Sequence, residues 1–299
     1  MFNPMRKKIS SLLWAVVSGV VLLSGVSCEK MIVGDDGDDD ANVVVSIRSI
    51  EQTPFKAFTR TSLEDVCTRL NFIVFDKDGV RLDQKNQEVG DEDFGKGKFT
   101  LPLGTYRLVI VAHSSNGNPT VNKRSGSKQE SVSFTNANGF SDTFFASQEL
   151  TVGDSAVTLN IDLIRVVALV RFINEDPIPV KADSIRFYYT GGSGSVDALT
   201  GWGNVQSKQV TWFGKSRFDS PFEIYTIPRE DSNELTVTVG TYQDTDLLTE
   251  TEIPNIPIQR NSITTCRGAI FNGKVSKVSF TMQVMSDWGT PIDYEIPSD

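Results

Sequence analysis

Histidine and cysteine are scarce in this chain of 299 residues, which has one histidine, His113, and three cysteines. So few imidazoles and thiols exclude most His-based catalytic triads and zinc sites. No serine lies in a Gly-x-Ser-x-Gly elbow, and the glycine-rich run at Gly191–Gly194 lacks the Lys-Ser or Lys-Thr of a phosphate loop. The sequence therefore predicts a protein that is not an enzyme and has no catalytic residue, metal or cofactor.

Basic charge and long apolar runs are also lacking. The formal net charge is −9, which argues against nucleic acid as a partner because phosphate binding needs a clustered basic surface. The apolar run from Leu12 to Leu23 is shorter than the roughly 20 residues that a membrane-spanning helix needs. These two features indicate a chain that is neither a nucleic-acid binder nor a multi-span membrane protein.

The N-terminal residues 1–27 have the features of an export signal. Three basic residues at positions 6–8 precede the apolar run, and small residues lead to Cys28. A cysteine at this place in bacterial signals receives a diacylglyceryl group, and several buried acyl chains anchor a protein stably. We therefore predict lipidation of Cys28. An ordinary cleaved signal with a chance cysteine, or a retained anchor helix, are the alternatives.

Residues 28–40 are predicted to form an acidic tether, because Gly34–Asp40 contains five aspartates and two glycines. The aspartates repel one another, and the segment has little apolar surface to bury. From residue 41 onward the dominant period is two, as in Val43, Val45 and Ile47, and no dozen residues show a convincing helical period. Asp76–Gly79 has the composition of a hairpin turn. Many short strands separated by turns predict antiparallel β-sandwiches.

Several further segments read as strands, and Val66–Val74 is assigned to one of them. The others are Tyr106–Ala112, Ala156–Leu163, Val166–Ile173, Ser184–Tyr189, Phe222–Ile227, Leu235–Tyr242, Ile263–Phe271 and Val278–Met285. A strand-like run ends near Asp162–Arg165 and another begins without a turn, so we predict domains at 41–164 and 165–299. Cys67 and Cys266 then fall in different domains, which favours two buried free thiols over a disulfide.

Three other features have a structural and a functional interpretation. His113 ends a strand and is expected to be a strand-end residue. Gly191–Gly194 is expected to be a flexible loop. Trp202 and Trp212, with Tyr188, Tyr189 and Phe213 nearby, are interpreted as core or edge cover, or as an aromatic surface for glycan or protein.

Short motifs along the mature chain resemble the FimB-type family of fimbrial subunits and fimbrillin-A-associated anchors of Bacteroidota, which build type V pili. The matching segments are Phe58–Leu63, Val66–Phe72 with Phe75-Asp76, Asp93–Gly95, Gly104–Val109 with Ala112-His113, Asp142–Phe144, Leu163–Ala168 and Ile258–Asn261. The resemblance implies two tandem transthyretin-like β-sandwich domains in a lipoprotein precursor. It also implies assembly by donor-strand insertion: in stalk fimbrillins, a groove emptied by proteolysis after an arginine receives a strand from a neighbouring subunit, whereas anchor members keep their lipid and hold the fibre at the outer membrane.

Two segments bear on how this chain would use such a mechanism. Arg60 lies in a polar segment where a trypsin-like protease could cut, which would release residues 28–60; an arginine in a surface loop is the alternative. The tail places Ile292, Tyr294 and Ile296 on one side of an extended segment, as a donor strand requires. An ordinary last strand of the C-terminal domain has the same pattern.

The resemblance and the N-terminal signal together predict a surface-exposed outer-membrane lipoprotein that is an anchor or minor subunit of a fimbrium. Its expected partners are other fimbrial subunits and, through the lipid, the outer membrane. A stalk or tip fimbrillin matured after Arg60 is the first alternative. A glycan-binding surface lipoprotein is the second, based on the anchor and the aromatic residues.

Overall fold

The computed structural model describes residues 41–51, 62–121, 131–271 and 279–283, and the regular secondary structure of these residues is almost all β-strand. The predicted all-β class built from antiparallel sandwiches is confirmed. A four-residue helix α1 (Leu63–Val66) and a single 3-10 turn (Lys215–Arg217) are the helical segments of the described residues. None of the helices there has the length and apolar content needed to cross a membrane.

The first sandwich and its connections use residues 43–165. Its strands are β1 (Val43–Ile50), β2 (Arg69–Phe75), β3 (Arg81–Glu88), β4 (Lys96–Phe99), β5 (Gly104–His113), β6 (Thr120–Val121), β7 (Ser131–Ser133), β8 (Thr143–Val152) and β9 (Val157–Arg165). Seven of them follow one another in the order β3-β2-β5-β8-β9-β1-β4. Two residue pairs join β8 to β9, and the two halves of the sheet pack face to face around one core.

The second sandwich uses residues 168–283. Its strands are β10 (Ala168–Asn174), β11 (Ser184–Thr190), β12 (Ser195–Asp197), β13 (Gln209–Gly214), β14 (Phe222–Thr226), β15 (Glu234–Gln243), β16 (Asp246–Pro257), β17 (Ile263–Gly268) and β18 (Ser279–Gln283). Sheet β14-β10-β17-β18 faces sheet β13-β11-β15-β16, and the side chains of Phe172, Phe187 and Phe222 lie fully buried between them.

A third hydrophobic core contains residues of both sandwiches. Phe75 and Val109 of the first sandwich share it with Ile227 and Ile263 of the second, and all four side chains are buried. A small sheet of order β12-β7-β6 also joins the two parts, because β12 pairs with β7. The described residues of both sandwiches belong to one compact unit. The boundary between 164 and 165 stays a prediction.

Two local expectations were wrong. Val66 ends helix α1 rather than belonging to a strand, and β2 begins at Arg69. The run Gly191–Gly194 is no flexible loop, since Gly192, Ser193 and Gly194 are buried. Gly192 is packed so closely against Thr226 that a Cβ there would lie 1.9 Å from the threonine Oγ1, so the glycines serve close packing.

Candidate functional site

Strand β1 occupies a groove in the first sandwich between β9, to which it is parallel, and β4, to which it is antiparallel. Val43 and Val45 point into the core and have no exposed surface. On β4, Gly97 lies opposite Val45, and the ring of Phe72 from the facing sheet covers it at a distance that leaves no room for a Cβ. The alternation of valines in β1 therefore fills the groove from within the same chain.

Both ends of β1 are held by side-chain hydrogen bonds. At the start, Asn42 donates its Nδ2 to the carbonyl of Leu101 at 2.7 Å and accepts the Leu101 amide on Oδ1 at 2.9 Å. At the other end, the Glu51 carboxylate accepts the backbone amide of Arg165 at 2.7 Å and the Nδ2 of Asn261 at 3.3 Å. Because Asn261 follows β16, the second sandwich contributes directly to the position of β1.

Arg165 is the centre of a polar cluster where the two sandwiches meet. Its side chain is 6% exposed and makes a two-pronged pair with Asp142, with Nε and Nη2 each within 2.9 Å of a carboxylate oxygen. Nη1 donates to Oδ1 of Asn261 at 3.0 Å, and the guanidinium lies 4.8 Å from the centre of the Phe144 ring. The cluster thus joins residues that are up to 119 positions apart, from Asp142 to Asn261.

Burial sets the electrostatics of this cluster. It raises the pKa of Asp142, and the hydrogen bonds and positive charge of Arg165 lower that pKa in part. A buried carboxylate of this kind depends on its partner, because an isolated charge in a low-dielectric interior is costly. The arrangement joins the two sandwiches through one buried guanidinium.

His113 ends β5 and belongs to a second buried network, with both His113 and Asn71 fully inaccessible to solvent. The Ser115 amide donates to Nδ1 at 3.1 Å, so Nδ1 has no proton and Nε2 donates to Oδ1 of Asn71 at 3.0 Å. Burial, with the nearby charge of Arg69, lowers the pKa of His113 to about 4. Asn71 in turn donates to the side-chain oxygens of Asn86 and Asn118. The imidazole is therefore a neutral part of the core.

Asn86 and Asn118 also line a surface groove of about 450 Å³ beside β3. Arg81, Asp83 and Gln84 supply further polar groups along its wall. Asn71 donates to the side-chain oxygens of Asn86 and Asn118, so both oxygens point inward. The buried network therefore sets the orientation of these two side-chain amides. The groove is polar and open.

The aromatic residues singled out in the sequence do not form one surface. Tyr189 is fully buried, and its hydroxyl donates to the carbonyl of Tyr225. Trp202 is half-buried and stacks on the guanidinium of Arg260, whose Cζ lies 3.9 Å from the ring centre. Trp212 is 53% exposed and pairs instead with Tyr242, which the sequence analysis did not single out.

The predicted functional residues lie outside the described part of the chain. This applies to the lipidation site Cys28, the processing site Arg60 and the donor-strand residues Ile292, Tyr294 and Ile296. All of these stay predictions. Cys67 and Cys266 are described, and the prediction of buried free thiols is confirmed. Burial raises the pKa of both thiols, that of Cys67 to about 12.

The sequence motifs contained Asp142, Arg165 and Asn261, but motif matching did not show that they meet. Glu51 was missed, since nothing in its local pattern distinguishes it from other exposed acids at strand ends. The signal that could have located the cluster is Arg165 itself, an arginine within a run of apolar residues that must be paired when buried.

Comparison with known proteins identifies related chains. The model of the family described as fimbrillin-A associated anchor proteins Mfa1 and Mfa2 matches residues 38–294. Among solved structures, a candidate polysaccharide-binding protein from Bacteroides thetaiotaomicron is 11% identical, with a TM-score of 0.50, over 85% of this chain and 98% of that chain. The fimbrial anchor protein Mfa2 from Porphyromonas gingivalis is 15% identical, with a TM-score of 0.44, over 83% and 99% respectively. No curated protein matches this chain. At 11% identity, the structure from Bacteroides thetaiotaomicron supports the fold alone.

Proposed function

The chain belongs to the family of fimbrillin-A associated anchor proteins, and we propose that it is a lipid-anchored base or minor subunit of a fimbrium. In this role it is not an enzyme. Cys28 carries the lipid, residues 28–40 hold the folded part away from the outer membrane, and other fimbrial subunits are joined by β-strand complementation.

The observation that carries the proposal is strand β1 seated in its groove. Val43 and Val45 are completely buried, and full burial of a valine is worth roughly 1.5–3 kcal/mol. Backbone hydrogen bonds to β4 and β9, and the side-chain hydrogen bonds of Asn42 and Glu51, further stabilise β1 in the groove. A chain that keeps β1 retains a covalent connection from this sandwich to Cys28, as an anchor requires.

A seated β1 also determines which partner supplies the complementing strand. While β1 fills the groove between β9 and β4, no strand of a neighbour can enter there. The anchor therefore acts as donor, and its tail offers Ile292, Tyr294 and Ile296 on one side of an extended segment. In such pairing, main-chain hydrogen bonds give affinity and alternate side chains fill pockets.

The processing state is tested by the mass of the protein isolated from native membranes. We expect a chain that begins at an acylated Cys28, and a Cys28→Ser variant that no longer partitions into detergent. A chain that begins at Thr61 would instead identify a stalk or tip fimbrillin matured after Arg60, because cleavage there removes β1 and the lipid together.

The donor role is tested with two single substitutions in the tail. Tyr294→Ala removes a side chain from the proposed pocket-filling side, whereas the control Glu295→Ala alters the opposite side. We expect only the first to abolish capture of fimbriae by the purified protein, with thermal unfolding unchanged in both. Loss of stability in Tyr294→Ala would show that the tail is a strand of its own domain.

The position in the fibre is tested by electron microscopy of a deletion strain. Loss of an anchor leaves long fibres that are shed into the medium. Absence of fibres would contradict the anchor role and support a stalk component.

A further inference from the structure

The outer face of sheet β13-β11-β15-β16 carries a row of residues that crosses all four strands. Trp212 on β13 lies opposite Arg186 on β11, which lies opposite Gly240 on β15, and Gly240 lies opposite Glu250 on β16. Tyr242, two residues beyond Gly240, points to the same face. We call Trp212, Arg186, Tyr242 and Glu250 the aromatic platform.

The platform groups are in contact with one another. The ring centres of Trp212 and Tyr242 are 5.2 Å apart, and the Arg186 guanidinium lies 5.3 Å from the centre of the Tyr242 ring and 6.0 Å from that of Trp212. Arg186 Nη2 lies 3.5 Å from Oε2 of Glu250. Stacking of a guanidinium on aromatic faces fixes its plane and orients the groups beside it.

Gly240 makes the arrangement possible. A Cβ at this position would lie 2.9 Å from Cε2 of Tyr242 and 3.2 Å from its hydroxyl oxygen. The tyrosine ring therefore lies across the backbone of β15, in the space that any other residue would fill. The Tyr242 ring thus lies over the strand beside Trp212, with the planes of the two rings inclined at 54°.

Arg186 is incompletely satisfied within the protein. Its Nε is buried and has no hydrogen-bond partner in the described residues, and the side chain is 30% exposed. Cation–π contacts with the two rings and one contact with Glu250 therefore hold the guanidinium, and donor capacity remains at its exposed end. An exposed tryptophan, an oriented guanidinium and a carboxylate in one row are the components of a binding surface.

We propose that the aromatic platform binds a neutral glycan. The C–H faces of pyranose rings carry partial positive charge and stack on the electron-rich faces of indole and phenol rings, while planar charged side chains pair with sugar hydroxyls. The next row along the sheet adds the hydroxyls of Tyr188 and Thr238. These hydroxyl groups can exchange hydrogen bonds with the hydroxyls of a sugar.

The charges of the platform and of the whole chain favour a neutral polysaccharide over an acidic one. Arg186 is balanced by Glu250, and the whole chain carries a formal charge of −9, so a polyanionic polysaccharide would be repelled. The site does not use β1, the Arg165 cluster or the tail. It is therefore independent of the proposed anchoring role, and either can fail without the other.

The test is native affinity electrophoresis of the full-length protein in neutral detergent. The gels contain mannan, xylan, galactomannan or dextran, with polygalacturonate as the acidic comparison. We expect retardation by at least one neutral polysaccharide and none by polygalacturonate. Trp212→Ala should weaken that retardation roughly fivefold to tenfold, as expected for loss of one aromatic stacking contact.

Two further variants separate the platform from a general effect. Gly240→Ala displaces the Tyr242 ring without deleting an aromatic group and should also weaken retardation, whereas Trp202→Ala removes a tryptophan outside the platform and should leave it unchanged. Thermal unfolding of each variant identifies any loss of folding. No retardation by the four neutral polymers, or equal retardation of the protein and Trp212→Ala, would overturn the proposal.

Discussion

Single residues in this protein are held by buried polar contacts whose strength depends on protonation. His113 is the clearest case, because its neutral ring both accepts from Ser115 and donates to Asn71. Protonation of Nδ1 would place a hydrogen against the Ser115 amide. Burial, which removes the charged ring from bulk solvent, and the nearby charge of Arg69 lower the pKa of His113.

The pKa of His113 predicts a pH-dependent stability. It is about 4 in the folded protein and about 6.5 in the unfolded chain, so the unfolded state binds more protons between these values. The stabilisation is complete above pH 6.5 and falls by about 3 kcal/mol as the pH drops to about 4. Urea unfolding between pH 7.5 and 4 measures it.

The control for this prediction is His113→Gln, which keeps a polar group but does not titrate. Its free energy of unfolding should change less over the same range, with the difference between the two proteins assigned to the imidazole. Identical pH profiles would contradict the buried, neutral state of His113.

We expect removal of Arg165 to lower the free energy of unfolding more than removal of Arg171, because Arg165 is more deeply buried. Arg165→Met removes a guanidinium that is 6% exposed, leaves Asp142, which is 25% exposed, without its partner, and should lower the free energy of unfolding by about 3 kcal/mol. The matched variant Arg171→Met breaks the pair with Glu223, whose side chains are 26% and 32% exposed, and should cost about 1 kcal/mol. Denaturant unfolding of both variants compares them, and equal losses would show that the Arg165 cluster has no special structural role.

At the scale of elements, the alternating burial along β1 predicts that substitutions of the adjacent residues Val44 and Val45 lower stability by different amounts. Val45→Ala removes two buried methyl groups and should cost about 2 kcal/mol, and it should speed proteolytic release of the N-terminal segment. Val44 points to the other face and is half-buried, so Val44→Ala is the matched control with a smaller effect. Denaturant unfolding and limited proteolysis measure both quantities, and similar effects of the two substitutions would contradict the burial of one face of β1.

Alternation and turn residues predicted most strands with a buried face, including β1, β11 and β15, and the hairpin turn at Asp76–Gly79, but they did not predict β8, which lies inside the sheet. Strands β3 and β16 were missed because both are sheet edges, where polar side chains are favoured and the alternation of apolar residues weakens. Helix α1 was missed because four residues carry no period. The composition of Gly191–Gly194 indicated a loop, but only tertiary packing shows that Thr226 requires a glycine there.

The sequence predicted only part of the candidate site, because local patterns do not show which distant residues meet. Arg165 and Asp142 were present as motifs, yet their pairing depends on the chain returning from β9 to the start of β8. Trp212 of the aromatic platform was named from the sequence. Tyr242 and Arg186 become its neighbours only through the register of β11 with β13 and β15. Cross-strand neighbours distant in sequence cannot be derived from local patterns.

The whole molecule is joined by the third core, which predicts one cooperative unfolding transition. Residues 41–201 contain no tryptophan, so fluorescence of Trp202 and Trp212 reports on the second sandwich, while far-UV circular dichroism reports on all strands. Both signals should give the same midpoint, as expected for a single unit.

A substitution in the first core sharpens this prediction. Phe72→Leu should lower stability by roughly 1–2 kcal/mol and shift the fluorescence midpoint together with the circular dichroism midpoint. A fluorescence transition that stays in place while the circular dichroism signal shifts would show that the two sandwiches unfold separately.

The double pairing of β1 has a mechanical consequence. A pull from the N-terminal segment enters the folded unit at Val43, on a strand bonded to a parallel neighbour on one side and an antiparallel neighbour on the other. Tension directed along the strand loads both ladders in shear, so that many hydrogen bonds must break at once rather than one after another. The strand nearest the tether is thus arranged to bear load.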